Sequence, residues 1–411
     1  MSKDSNFGKF LLLWAGEFIS AIGGGLTSFG LGVYVFNETG SAASMALVTL
    51  LSFLPMLVLS VPAGILADRY DRRILMMLGD GLSALGLVYI LVRMLMGGAT
   101  LVDICIGVTI SSVFSALMEP SYKATVSDML TKEEFSKANG LVSIAGSARY
   151  LISPVIAGFL LAVGDIRLIL LIDICTFFIT VLTTALVRKG ITSKISDEKV
   201  SFRDGIKEGF AVIKARKGVM TLIVMTSVIT CFIGIMMTLS EPMVLAFKSS
   251  KTLGVVETIC AGGMLVTSVV LGAIGIKKHF AKLLSVSLAL SGIGMAVFGL
   301  KENIVLMTVA GFFFFAMLPV ANNCLDYLIR INIPEQTQGR AWGIIGFISQ
   351  LGYVVAFALS GALADVTAKV MEISVGRGAG LVITVAGILL SVVSLSLLFR
   401  KRIRNLENAV G

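Results

Sequence analysis

Charge is scarce in this chain: only 14% of its 411 residues are Asp, Glu, Lys or Arg, and 56% are hydrophobic. A soluble domain carries about 25% charged residues. The composition therefore excludes an ordinary water-soluble fold and fits a chain whose main solvent is lipid. Histidine is nearly missing: His279 stands alone, in a predicted loop. That argues against a histidine-based catalytic triad or a zinc site. The five cysteines, Cys105, Cys175, Cys231, Cys260 and Cys324, fall in five separate apolar segments with no C-x-x-C pair. They read as small core residues rather than a disulfide framework or a metal site. The phosphate loop G-x-x-x-x-G-K-[ST] does not occur, which argues against ATP-driven work. Neither an enzyme nor a cofactor is expected.

What is present is a series of long apolar runs. A membrane-crossing helix needs about 20 apolar residues. Spans are expected at roughly 10–36, 43–66, 74–97, 101–125, 138–163, 166–188, 218–246, 252–276, 282–300, 303–328, 340–364 and 377–399. The first is too long for a signal-peptide core and reads as a span that is kept. Short connections make consecutive helices antiparallel neighbours.

Charge distribution sets the orientation. With both termini cytoplasmic, 26 Lys/Arg fall on the cytoplasmic side and seven on the other, with Arg149 left inside a span. The positive-inside rule then favours cytoplasmic termini and an even number of spans. It also accounts for the net charge of +9 without nucleic acid as a partner.

The longest polar stretch, 189–217, follows span six. Within it, Phe202, Ile206, Phe210 and Ile213 share one helical stripe, while Arg203, Lys207, Lys214 and Arg216 take other faces. An interfacial helix on the membrane surface and a solvated linker helix both fit this pattern. The expected organisation is a six-helix bundle over 1–188, a linker over 189–217, a second six-helix bundle over 218–400 and a tail over 401–411. The halves echo each other weakly: span four ends in Phe114 to Pro120, and span ten carries Phe315 to Pro319, about 200 residues later. Such repeats suit a transporter whose substrate binds near the membrane midplane.

Between spans two and three the chain reads Gly64-Ile-Leu-Ala-Asp68-Arg69-Tyr70-Asp71-Arg72-Arg73. This resembles the G-x-L-a-D-r-x-G-r-[rk] loop of the major facilitator superfamily, departing from it at Asp71, where glycine is usual. Gly64 is expected to permit close helix approach. The resemblance implies a cytoplasmic gate in which Asp68 faces the start of span eleven, near Gly339 to Trp342. Asp128 would join Arg69 or Arg72, and Asp326 would be its counterpart in the second half. Arg73 reads equally as a gate residue or as a residue obeying the positive-inside rule. Span five carries Gly146, Ser153, Pro154 and Gly158 in a pattern that resembles the antiporter motif of proton-coupled drug exporters, with Ser153 and Ala157 in place of glycines. Span four lacks the arginine common in other exporters and has Glu119-Pro120 instead. Trp14, the run Gly23-Gly24-Gly25 and Ala138-Asn139-Gly140 make the chain similar to the macrolide-efflux branch of bacterial drug:proton antiporters, some of which export siderophores. The implied fold is all-α: twelve transmembrane helices in two pseudo-symmetric six-helix bundles.

Charges inside the spans are functional candidates, because a charge at mid-bilayer costs at least about 2.5–3.5 kcal/mol. Glu17, Asp80, Glu119, Arg149, Asp173, Glu241 and Asp326 qualify. Glu17 ranks first as a proton-binding or cation-recognising group: it lies eight residues past Lys9, about 12 Å deep, beside Trp14 and Phe18. Glu119 and Arg149 sit at similar depths and are expected to form an ion pair between adjacent helices. Asp173 and Glu241 lie near the outer face, where snorkelling to water is the alternative to a transport role. Asp80 shows no partner in sequence. A substrate cavity would be apolar, with Phe29, Tyr34, Tyr150, Asn322, Asn323, Tyr327 and the phenylalanine run 312–315 as candidate lining. The expected function is proton-coupled efflux of amphiphilic drugs, lipophilic cations or macrolide-like compounds, by a monomer in a bacterial cytoplasmic membrane. The alternative is transport of an endogenous metabolite such as a siderophore. The expected partners are the small amphiphilic substrate, protons and the lipid bilayer.

Overall fold

The computed structural model describes residues 6–188, 210, 217–333, 338–399 and 407. The expected linker helix at 201–218 and the tail at 401–411 therefore lie almost wholly outside the described residues. Those described form helices and no strand. The helices are α1 (Phe7–Thr39), α2 (Ala42–Arg69), α3 (Arg72–Leu95), α4 (Leu101–Ser115), α5 (Met118–Met129), α6 (Lys132–Leu151), α7 (Ser153–Val163), α8 (Ile166–Arg188), α9 (Lys217–Leu245), α10 (Ser250–Ile274), α11 (Phe280–Leu300), α12 (Ile304–Arg330), α13 (Gln338–Val370) and α14 (Val375–Phe399). Among the described residues, twelve spans are long and apolar enough to cross a membrane. Two of them are broken: α4 and α5 make up the fourth, α6 and α7 the fifth. The second break sits at Pro154, whose ring cannot continue the helix before it.

Local chemistry places the helix ends. Asp71 caps α3 by accepting from the Arg73 amide at 3.1 Å. Thr100 with Asp103, and Thr131 with Glu134, form capping boxes at the starts of α4 and α6. Each satisfies amides that would otherwise lack partners in lipid, where an unmet backbone group costs several kcal/mol.

The chain forms two compact units. The first holds Met1–Thr39, Leu47–Glu198 and Ser250–Val255; the second holds Gly40–Ala46, Lys199–Ser249 and Val256–Gly411. Helix contact in lipid comes from close packing rather than the hydrophobic effect, so small residues decide it. In the first unit, Gly16, Gly23 and Gly30 recur every seven residues along α1. They meet Thr183, Thr176 with Asp173, and Ile166 with Ile169 on α8, so closely that a Cβ at any of the three would collide. Ser153 Oγ of α7 donates to the Ile22 carbonyl at 3.0 Å, and Gly25 makes room for that side chain. The indole of Trp14 donates to the Leu141 carbonyl at 2.7 Å and ties α1 to α6. Gly158 of α7 abuts the backbone of Ser250 and Lys251 at the start of α10, and the Lys251 ammonium sits 4.5 Å over the Phe159 ring.

The second unit repeats the device. Gly292 and Gly299 of α11 meet Gly387 and Gly380 of α14, again seven residues apart on each antiparallel helix. The Asp365 carboxylate of α13 accepts from the amides of Ala42 and Ala43, each at 3.0 Å, and from the Ser41 hydroxyl at 2.6 Å. Glu407 accepts from the Phe280 amide at 3.1 Å at the first turn of α11.

A paired substitution tests the packing rule. A methyl at Gly86 would drive into the Gly107 carbonyl and the Ser111 amide on α4, whereas one at Gly24 meets nothing within 4 Å. Gly86→Ala is expected to cost about 1–3 kcal/mol, and Gly24→Ala to be neutral or to stabilise by up to about 1 kcal/mol. Apparent melting temperatures of the purified protein check this. Equal shifts for the two variants would show that close approach is not what sets α3 against α4.

Candidate functional site

Three helices of the first unit bring acids together. Asp173 of α8 is 1% exposed, and its Oδ1 accepts from the Thr176 hydroxyl at 3.2 Å. The snorkelling alternative for Asp173 is thereby overturned: the glycine at position 23 lets α1 close over it. Asp80 of α3 is 3% exposed and lies within electrostatic reach of both Glu17 and Asp173. Glu17 of α1 is partly buried, with Oε1 sealed from solvent. Neither Glu17 Oε1 nor Asp80 Oδ2 has a hydrogen-bond partner among the described residues. The hydroxyl of Tyr122, on α5, also lacks one and lies within reach of Glu17. No group of His, Cys, Asp and Glu among the described residues is arranged to hold a metal ion. What such a site can do is take up and release a proton, since a dry carboxylate is far cheaper neutral than charged.

The expected Glu119–Arg149 ion pair does not form. Glu119 pairs with Lys123 one turn along the same helix, and both side chains are about two-thirds exposed, at 66% and 67%. A partner at i+4 is in reach with no tertiary packing at all. Arg149 is exposed, and the acid it reaches is Asp173. In the second unit, Glu241 of α9 is partly buried and within electrostatic reach of Glu257 on α10. Sequence reasoning misses Glu257; its signal was a single carboxylate in the otherwise apolar eighth span.

The loop between α2 and α3 is knit by charge. Arg72 bonds the Asp128 carboxylate of α5, donates to the Ala67 carbonyl at 3.0 Å and lies 3.8 Å from Asp68. Of the two partners offered to Asp128, the structure selects Arg72. Asp71, the departure from the family glycine, pairs with Arg73 and with Arg188 of α8, each at 3.1 Å. Arg73 is 3% exposed, so its role is packing and pairing rather than charge balance alone. Arg69 is exposed. Among the described residues, nothing lies within 4 Å of a Cβ built at Gly64, nor at Gly146, so none of them makes the close approach expected at Gly64. Asp68 is 68% exposed; the side chains of its expected partners, Gly339 to Trp342, lie outside the described residues. Asp326 is exposed, with Arg330 as its electrostatic neighbour one turn on.

The second unit also holds a half-open cavity of about 150 Å³. Apolar side chains line it, among them Ile233, Met237 and Phe315, with Thr226, Thr230, Asn322 and Tyr353 as polar anchors. Phe315 and Asn322 were expected lining. Phe29 instead belongs to the core at 4% exposure, and Tyr327 stacks on Phe280 with centroids 3.7 Å apart.

Arg72→Ala would leave the partly buried Asp128 without its cation. The expected loss is about 2–4 kcal/mol, against less than about 0.5 kcal/mol for the exposed Arg69→Ala. Thermal unfolding of the two variants side by side measures the difference. Similar melting temperatures would remove the Arg72–Asp128 bond from the account.

The sequence matches the Major Facilitator Superfamily over residues 13–357. It is 26% identical over 370 residues to macrolide efflux protein A of Streptococcus pyogenes, spanning 87% of this chain and 89% of that one. It is 24% identical over 380 residues to multidrug efflux pump Tap of Mycolicibacterium fortuitum, spanning 87% and 90%. It is 24% identical over 385 residues to enterobactin exporter EntS of Citrobacter koseri, spanning 91% and 89%. Among solved structures, nucleoside transporter NupG matches with a TM-score of 0.75 at 15% identity, covering 96% of this chain and 100% of that one. A bacterial homologue of the iron transporter ferroportin matches with a TM-score of 0.69 at 14% identity, covering 96% and 99%. These structural likenesses speak to fold alone. With twelve membrane-spanning helices and a family match over most of its length, this multi-pass membrane protein belongs to the major facilitator superfamily.

Proposed function

We propose that this transporter is a proton-coupled exporter of amphiphilic compounds, macrolide-like or lipophilic and cationic, in the cytoplasmic membrane with both termini inside. The observation that carries the coupling is the Glu17 carboxylate. It is partly buried in the first unit, with Oε1 sealed from solvent and without a hydrogen-bond partner, and a second buried acid lies in reach. Export is supported by efflux relatives that span nearly nine-tenths of the chain. Orientation is supported by the Lys/Arg asymmetry. A proton arriving from outside neutralises the site, which lowers the cost of returning through lipid-facing conformations. Its departure to the cytoplasm restores the charge and readies the carrier for the next substrate in an alternating-access cycle.

The energetics suit the task. One proton moving down about 100 mV and one pH unit releases about 3.7 kcal/mol, enough for a roughly 500-fold gradient of a neutral substrate. For a monocation exchanged one-for-one, the electrical part cancels and only the pH part, about tenfold, remains. The cavity in the second unit is small: about 150 Å³ amounts to a few waters. It suits one apolar group of a larger molecule rather than a whole drug.

A second reading, export of an endogenous metabolite such as a siderophore, is favoured by the likeness to enterobactin exporter EntS over 385 residues. Proteoliposomes carrying an internal pH dye decide between them. Macrolides, lipophilic cations and a catecholate siderophore are each added under an imposed pH gradient. Substrate-driven proton flux with a drug supports drug efflux, and flux with the siderophore alone supports the second reading. If no compound moves protons, while an imposed sodium gradient drives uptake or release, proton coupling is wrong.

A further inference from the structure

The buried acid that sequence left without a partner, Asp80, now has a place. The groups near it come from several helices of the first unit. Helix α1 brings Glu17, α5 brings Tyr122 and α8 brings Asp173. Helix α6 brings Arg149, whose reach is to Asp173. The other charges on these helices are engaged elsewhere. Glu119 and Lys123 pair with each other on the exposed side of α5. Arg72 and Asp128 bond at the loop end. Asp103 of α4 accepts from Thr100, Tyr89 and Arg93. Asp173 is served by the Thr176 hydroxyl and by Arg149. Arg72, Arg93 and Lys123 are thus committed to carboxylates other than Glu17 and Asp80, and Arg149 reaches Asp173.

Two carboxylates within reach of each other, each with an oxygen sealed from solvent, resist being ionised together, because little water offsets their repulsion. The Tyr122 hydroxyl is an independent sign that the site serves a changing charge. It is 8% exposed, has no acceptor, and lies within reach of Glu17. A buried donor left without a partner is costly, and an ionised carboxylate nearby would relieve that cost.

We propose that Glu17 and Asp80 bind protons as one unit, so that the coupling site is an acid pair rather than a single carboxylate. One proton stays on the pair throughout. The exchanged proton takes its net charge from minus one to zero. Uptake forms one O–H bond on the charged oxygen with a proton from outside water, release breaks it toward cytoplasmic water, and no other bond changes. The stoichiometry is one proton per cycle. This rests on the proton-coupled reading above, and its test is independent of transport.

The experiment is an infrared pH titration of the purified protein, following the protonated-carboxyl band in wild type, Glu17→Gln, Asp80→Asn and the double variant. Wild type is expected to show two carboxyl steps that both vanish in the double variant. Each single variant keeps one step, at a pH between the two wild-type steps, which are split by at least about one pH unit. A wild-type curve equal to the sum of the two single-variant curves would show two independent acids and overturn the pair. Loss of both steps in Glu17→Gln alone, with none lost in Asp80→Asn, would assign the protons to another partnership and overturn it as well. Should one variant fail to give a monodisperse protein, Glu17→Ala or Asp80→Ala takes its place, and a sum of single-variant curves that lacks the upper wild-type step still reports the pair. Absence of drug-driven proton flux in wild-type liposomes would refute the transport reading and leave this titration to stand or fall by itself.

Discussion

Three glycines spaced seven residues apart on α1 set the distance to α8, and much of the first unit follows from that distance. Where lipid surrounds the protein, helices gain little from hiding apolar surface, and contact must come from fit. Gly16, Gly23 and Gly30 give α8 a groove, and the Thr183, Thr176 and Ile169 side chains fill it at the same interval. A methyl anywhere along the seam would push the helices apart. The second unit solves the same problem with facing glycines on α11 and α14.

That closeness has an electrostatic consequence. Gly23 sits against Asp173, so the carboxylate is shut away from water, and its polar needs fall to Thr176 and the reach of Arg149. Glu17 lies on the same helix as the glycine seam, and α3 brings Asp80 to it. Packing that tolerates no side chain at Gly23 thus also creates a dry acid cluster. A charge enclosed this way is expensive, and a protein that retains several such acids in one place holds a site whose charge can be changed by a proton.

The loop between α2 and α3 shows the opposite regime. Its charges lie at the ends of helices, and they are paired with one another: Arg72 with Asp128, Asp71 with Arg73 and Arg188. The substitution of Asp71 for the usual glycine is not a defect in the motif. The aspartate caps α3 and holds two arginines, one of them on α8, so the loop is fastened to the bundle from both sides.

Hydropathy and the Lys/Arg asymmetry were enough to place twelve spans, because lipid imposes a length and a polarity on every crossing helix whatever its neighbours. The loop motif was legible because its residues are contiguous. Pairings were not. Glu119 and Arg149 looked like partners by depth, yet Glu119 had Lys123 one turn away, and depth says nothing about which way a helix face points. Asp173 looked able to reach water, and a glycine on another helix closed that route. Asp80 and Glu257 gave no sign of their neighbours, since those lie on α1, α8 and α9, dozens of residues distant. Sequence alone determined the solvent, the number of crossings and the family, which depend on composition and local order. Only the tertiary structure decided which buried acids meet, because a contact between helices depends on rotation and separation, and those are fixed by the packing of both faces together.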